Sequence, residues 1–169
     1  AVVAVRAQAH GLAKPRDNFS PQITVDAPIL IPDDYVPDLS VRMALYRRLN
    51  DLDEAQDIEG FAAEMSDRFG PIPEPTQNLL KLIAIKQNAL VAQVAKIEVG
   101  PRGALVSFHE DRPPNVAALL AYVGKLGAVA KLRPDSKLVI TRNWPDPASK
   151  LNGCLQLSKG LANLAKRMA

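Results

Sequence analysis

"KIEVGPRGALVSF", residues 96–108, decides the fold class. Upstream of Lys96 apolar residues recur at helical spacing; from Lys96 onward they alternate. "KIEV" and "ALVSF" flank a Gly-Pro-Arg-Gly run, and two alternating runs around such a turn predict a β-hairpin. A second pair follows, "VAKL" and "KLVIT" around "RPDS". Between the pairs, "PPNVAALLAYVGKLG" has proline near its start and glycine at its end, the asymmetry of a helix. Residues 95–143 therefore read as ββαββ, an antiparallel-type sheet unit.

Working outward, residues 144–169 read as a long terminal helix after Trp144, capped by Asp146 with Pro147 at its first position. Its apolar line is Leu151, Cys154, Leu155, Leu161, Leu164 and Ala165. Toward the N-terminus, residues 20–94 read as an extended segment and three helices. Gln22 to Asp26 alternates and is expected to form a short strand. "APILIPDDYVPD" has too many prolines for a helix or a ladder interior. It is expected to run extended, packed by Ile29, Leu30, Ile31, Tyr35 and Val36.

The first helix spans roughly 39–52, with Asp38 or Ser40 as cap. Val41, Leu45, Leu49 and Leu52 form one stripe; Leu39, Met43 and Tyr46 form another, which predicts a sandwiched helix. The second runs from Asp53 or Asp57 to Phe69 with Ile58, Phe61, Ala62, Met65 and Phe69 on one face, and stops at Gly70-Pro71. The third starts near "PEPT" and continues to about Val94, with Leu79, Leu82, Ile83, Leu90 and Val94 inward. The class is α+β.

Composition narrows the function. Of 169 residues, 21 are Lys or Arg and 18 Asp or Glu, so the net charge of +3 is weak support for a nucleic-acid partner. One cysteine excludes an internal disulfide framework and a Cys-based zinc site, and fits a reducing, cytoplasmic setting. "AVVAV" ends at Arg6, too short for a signal-peptide core or a membrane span. The chain does not begin with Met and is expected to be a piece of a longer protein, with residues 1–19 as a linker or arm. No phosphate-binding loop and no G-x-S-x-G occur. His10 and His109 have no histidine at helical spacing, so no metal, cofactor or catalytic group is expected. Cys154 lies on the apolar line of the last helix and is expected to pack rather than react.

Two carboxylate groups remain. Asp33 and Asp34 are adjacent, point to opposite sides of an extended chain, and read as a polar corner. On the second helix Asp57, Gly60, Glu64 and Asp67 face away from the apolar stripe, with Glu64 and Asp67 three residues apart. That face is either solvated surface or a docking site for a basic partner.

"SPQITVDAPILIPDDYVPDLSVRMALYRRLNDL", continuing through "AEMSDRFGPIPEPTQNLL", goes further. It resembles the C-terminal domain of bacterial transcription-repair coupling factors, the Mfd family. The matching positions are Pro32, Asp33, Asp34, Tyr35 and Pro37, then Arg42 and Tyr46, then Arg68, Phe69 and Gly70, in that order. The resemblance covers Ser20 to about Leu80; beyond Val94 only the order of elements is similar.

The resemblance implies a non-catalytic regulatory domain, residues 20–169, that follows an ATP-driven DNA translocase. It implies intramolecular docking on a UvrB-like N-terminal module, covering the surface that binds UvrA, in a parent that engages RNA polymerase and DNA. By the resemblance Glu64 and Asp67 are the docking acids, with Gly60 and Ala63 allowing close approach. A DNA-binding accessory domain is the alternative.

Overall fold

A computed structural model of the chain describes residues 19–166. Residues 1–18, which hold His10 and nearly all of the expected arm, lie outside the described residues, as does Arg167. The sheet strands are β1 (Gln22–Thr24), β2 (Val94–Gly100), β3 (Gly103–Phe108), β4 (Ala130–Leu132) and β5 (Leu138–Thr141). The helices are α1 (Leu39–Asn50), α2 (Ala55–Phe69), α3 (Glu74–Val91), α4 (Val116–Leu126) and α5 (Pro147–Lys166). The fold is α+β, and both predicted hairpins and the ββαββ order are present.

The sheet order is β1-β2-β3-β5-β4. β1 lies parallel to β2, with Ile23 opposite Ile97, so the sheet is mixed rather than purely antiparallel. Gly103 opens β3 at φ +129, and a Cβ there would overlap the Ile140 carbonyl, so only glycine fits.

The helix ends follow local chemistry. Asp38 caps α1 by accepting from Val41 N at 3.1 Å, and Arg47 and Arg48 sit in its last turn, where the helix dipole favours cations. Asn115 accepts from Ala118 N at 3.1 Å to start α4. Asp146 accepts from Ser149 N at 2.8 Å to start α5. α2 begins at Ala55 with Glu54 as its N-cap, and the Glu54 N–H donates to the Asp57 carboxylate at 3.2 Å.

Two apolar clusters hold the chain. One gathers Ile31, Val36, Leu45, Leu49, Phe61, Met65, Leu79 and Ile83 from the N-terminal half. The other joins the sheet to α3, α4 and α5 through Ile97, Val106, Leu138, Leu151, Cys154 and Leu157, among others. α3 belongs to both: Leu79 and Ile83 face the first cluster, Ile85 and Ala89 the second. Each fully buried Leu or Ile stabilises by roughly 1.5–3 kcal/mol, so α3 is the beam that couples the halves. Cys154 is fully buried, and desolvation pushes its thiol up to about 12, consistent with packing rather than reactivity.

The proline-rich segment is pinned by side chains, because it has no sheet partner for its carbonyls. Thr76 Oγ1 donates to Leu30 O at 2.9 Å and Asn78 Nδ2 to Pro28 O at 2.9 Å, which satisfies two buried polar residues of α3.

Several expectations are corrected. α1 ends at Asn50 and is not sandwiched: Leu39 is 60% exposed and Met43 38%. No described element covers that side, and only Tyr46 of the second stripe is drawn inward. Leu30 is 43% exposed, its backbone rather than its side chain making the contact. α3 stops at Val91, leaving Leu90 exposed and Val94 buried at the start of β2. Asp33, Asp34 and Tyr35 form a tight turn, with Tyr35 N and Val36 N both donating to Pro32 O at 3.1 Å. The chain is therefore not extended there.

Candidate functional site

The site is built on α2. At 3.6 residues per turn, Ile58, Phe61, Ala62, Met65 and Phe69 fall on one side. Phe61 and Met65 are buried, at 3% and 1% exposure. Gln56, Gly60, Ala63 and Asp67 fall on the other side, and all four are exposed.

Tyr35 of "PDDYVPD", with Arg42 and Tyr46 of α1, fixes where that face points. Tyr35 Oη donates to Gly70 O at 2.8 Å, and at 3.3 Å to Met65 O, closing the carbonyl end of α2. The Tyr35 ring meets Phe69 edge-on at 5.8 Å. Ile31 N donates to Tyr46 Oη at 2.7 Å, and Arg42 Nη1 donates to Val36 O at 2.8 Å. These bonds clamp the proline-rich turn between α1 and the end of α2. The signature residues Tyr35, Arg42, Tyr46 and Phe69 are structural. Asp33 and Asp34 are exposed at the turn between the buried anchors Ile31 and Val36. They form the polar corner that the sequence predicts.

Gly70 ends α2 at φ +94 and ψ −171, a backbone conformation essentially reserved for glycine. A Cβ there would meet nothing within 4 Å, so the requirement is conformational rather than steric.

Glu64 does not stand free beside Asp67. Arg48 of α1 grips it with two hydrogen bonds of 2.7 Å, and Arg68 adds a third at 3.0 Å. Arg48 also lies 5.0 Å from the Phe61 ring centre and Arg68 4.8 Å from that of Phe69. The Arg48 hydrogen bonds foremost, then those of Arg68, hold the Glu64 carboxyl down at about 2. Its charge is thus more than balanced by two guanidinium groups. Asp57 is likewise engaged at the start of α2. The uniformly acidic face expected from periodicity is therefore a mixed one, with Asp67, which has no ion pair among the described residues, beside the Arg48–Glu64–Arg68 cluster. The arginines sit 16 residues before and 4 after Glu64, and only the i,i+4 partner is readable from spacing.

Gly60 and Ala63 lie on the exposed face as expected, and a Cβ added at Gly60 would meet nothing within 4 Å. His109 follows β3, and its ring stacks on Phe19 at 4.1 Å between centres and 7° between planes. Among the described residues no three His, Cys, Asp or Glu side chains are grouped to hold a metal ion, and no helix is long and apolar enough to cross a membrane.

The chain is similar to known proteins in family and fold. The TRCF domain family matches residues 25–119. The transcription-repair-coupling factor of Rickettsia bellii (strain RML369-C) is 33% identical over 124 residues, covering 73% of this chain and 11% of that protein. The protein of the same name from Escherichia coli (strain K12) is 25% identical over 140 residues, covering 83% and 12%. The chain thus spans only 11–12% of the length of these relatives. A crystal structure of the C-terminal domain of transcription-repair coupling factor superposes with a TM-score of 0.76 at 17% identity, covering 91% of this chain and 99% of that one. At that identity the likeness is one of fold.

Proposed function

Because the chain belongs to the TRCF domain family of transcription-repair coupling factors, we propose that it acts as a non-catalytic regulatory domain of such a factor. In this reading it docks on a UvrB-like N-terminal module of the same parent chain and masks the surface that binds UvrA. Docking also restrains the parent's ATP-driven DNA translocase.

The observation that supports the reading is the Gln56–Gly60–Ala63–Asp67 face of α2. Glycine in a helix interior costs about 0.5–1 kcal/mol relative to alanine, yet nothing within the described chain needs the space at Gly60. A partner backbone approaching closely gives that cost a use. Asp67 is exposed and makes no hydrogen bond or ion pair with a described residue, which leaves its charge for a basic group of the partner. Glu64 contributes indirectly, by holding Arg48 and Arg68 at the border of the face.

The test is calorimetric titration of the chain with the separated UvrB-like module. Asp67→Lys is expected to weaken binding by the equivalent of about 2–5 kcal/mol, the cost of reversing one partner of an interfacial charge pair. Unchanged affinity would remove Asp67 from the interface. Instead, tight binding of duplex DNA that falls steeply with salt would favour the accessory DNA-binding role.

A further inference from the structure

The sheet half of the molecule carries a cavity of about 170 Å³ that the α2 face does not use. Leu126, Ile140 and Leu157 form apolar walls, and Tyr122, Arg142, Trp144 and Gln156 bring polar groups to it. None of these four side chains has a hydrogen bond or ion pair within the described residues, and none is a sealed, unsatisfied group. All four residues line the cavity, and Arg142 and Gln156 are exposed at its edge.

Two glycines of α5 shape the site. A Cβ at Gly153 would collide with the Trp144 indole, and one at Gly160 would come within 2.9 Å of the Tyr122 hydroxyl. Each glycine sits inside a helix, where it is disfavoured. Each lets an aromatic ring lie close against the helix.

Charge is one-sided. Arg142, just after β5, donates its backbone N–H to Arg102 O in the β2–β3 turn at 2.9 Å, which brings the two residues to the same end of the sheet. Among the described residues neither guanidinium has a carboxylate partner, and no acid lines the cavity or the adjoining groove that both arginines border. The nearest acid in sequence, Asp146, is committed to capping α5. Burial raises the Tyr122 hydroxyl above its ordinary value, and nearby Arg142 pulls the other way.

We propose that this cavity is a socket for a glutamate or aspartate side chain of a protein partner, gripped by Arg142 with Tyr122, Trp144 and Gln156. The guanidinium fork matches a carboxylate, and the apolar walls match the methylenes beneath it. Trp, Tyr and Arg are also the residue types that dominate interface energetics. A sugar-phosphate backbone would meet a flat basic track, whereas this site is a recess with apolar walls.

The chain's 1 tryptophan is Trp144, so its indole N–H gives one readable NMR resonance. Acetyl-Gly-Glu-Gly-amide should shift that resonance saturably, and acetyl-Gly-Gln-Gly-amide should not. Arg142→Gln should weaken the glutamate peptide roughly tenfold or more, as expected for losing hydrogen bonds to a charge. Tyr122→Phe, which removes only the hydroxyl oxygen, should weaken it severalfold with an unchanged circular dichroism spectrum. Equal shifts from the two peptides, no shift from the glutamate peptide, or full affinity in a folded Arg142→Gln variant would overturn the assignment. So would a twelve-nucleotide single strand that shifts the indole at lower concentration than the glutamate peptide, since that would assign the socket to phosphate.

Discussion

Gly60 and Gly70 both belong to the α2 region, and a Cβ added to either meets nothing within 4 Å. Replacing each with alanine therefore changes backbone energetics and no packing, and the two effects should have opposite signs. Gly70 sits at φ +94 and ψ −171, where an L side chain is strained by on the order of 1–3 kcal/mol. Relief of the strain by rotating the backbone would pull the Gly70 carbonyl from the Tyr35 hydroxyl, now at 2.8 Å. Gly60 lies inside a regular helix, where alanine is better by about 0.5–1 kcal/mol. For a chain of this size each kcal/mol moves the melting temperature by about 2–4 °C. Gly70→Ala should then lower Tm by about 2–12 °C, and Gly60→Ala should raise it by about 1–4 °C. Thermal unfolding followed by circular dichroism and by Trp144 fluorescence reads both. An unchanged or raised Tm in Gly70→Ala would refute the strain argument, and a lowered Tm in Gly60→Ala would show that the glycine is needed within the fold.

Glu64→Gln should destabilise the chain by roughly 0.5–1 kcal/mol at neutral pH, a modest value because the cluster is exposed and screened. Its carboxyl is held down at about 2 in the fold, against an ordinary value of 4.5. The ionised form thus stabilises the fold above about 4.5, and the contribution is lost as pH falls from there through 2. Urea titrations of wild type and Glu64→Gln should converge over that window, and a constant gap down to pH 2 would count against the ion cluster. Cys154, fully buried with its thiol pushed up to about 12, should resist a thiol-reactive dye in the native chain and react on unfolding. Fast native labelling would contradict its packing. Tyr35→Phe should cost about 0.5–1.5 kcal/mol in urea unfolding, the worth of one hydrogen bond, and no loss would show that the Tyr35 clamp is idle.

What was legible in the sequence was local. Both hairpins, the caps at Asp38 and Asp146 and the stop at Gly70 depend on residues within a few positions of one another, and all are in place. What was not legible was set by distant partners. The parallel pairing of Ile23 with Ile97 joins segments far apart in the chain, so β1 reads as a strand with no neighbour. The second stripe of α1 looked buried because periodicity records apolar spacing and not whether an element covers it; Leu39 remains open. Glu64 read as free acid because Arg48 comes from another helix. The carboxylate socket gathers Tyr122 of α4, Arg142 after β5 and Gln156 of α5, and no spacing rule joins them.

The central claim, that the α2 face holds a regulatory dock, is tested most directly in the full-length parent by capture of UvrA without ATP. Asp67→Lys is the cleaner probe, since Glu64→Lys would also set a third cation against Arg48 and Arg68. Exposed substitutions of this kind usually shift stability by no more than about 0.5 kcal/mol, so the parent should remain folded by circular dichroism. The account predicts that Asp67→Lys parent captures markedly more UvrA than wild type, because undocking exposes the masked surface. Equal capture by the two folded proteins would contradict it and leave the Gln56–Gly60–Ala63–Asp67 face as ordinary solvated surface.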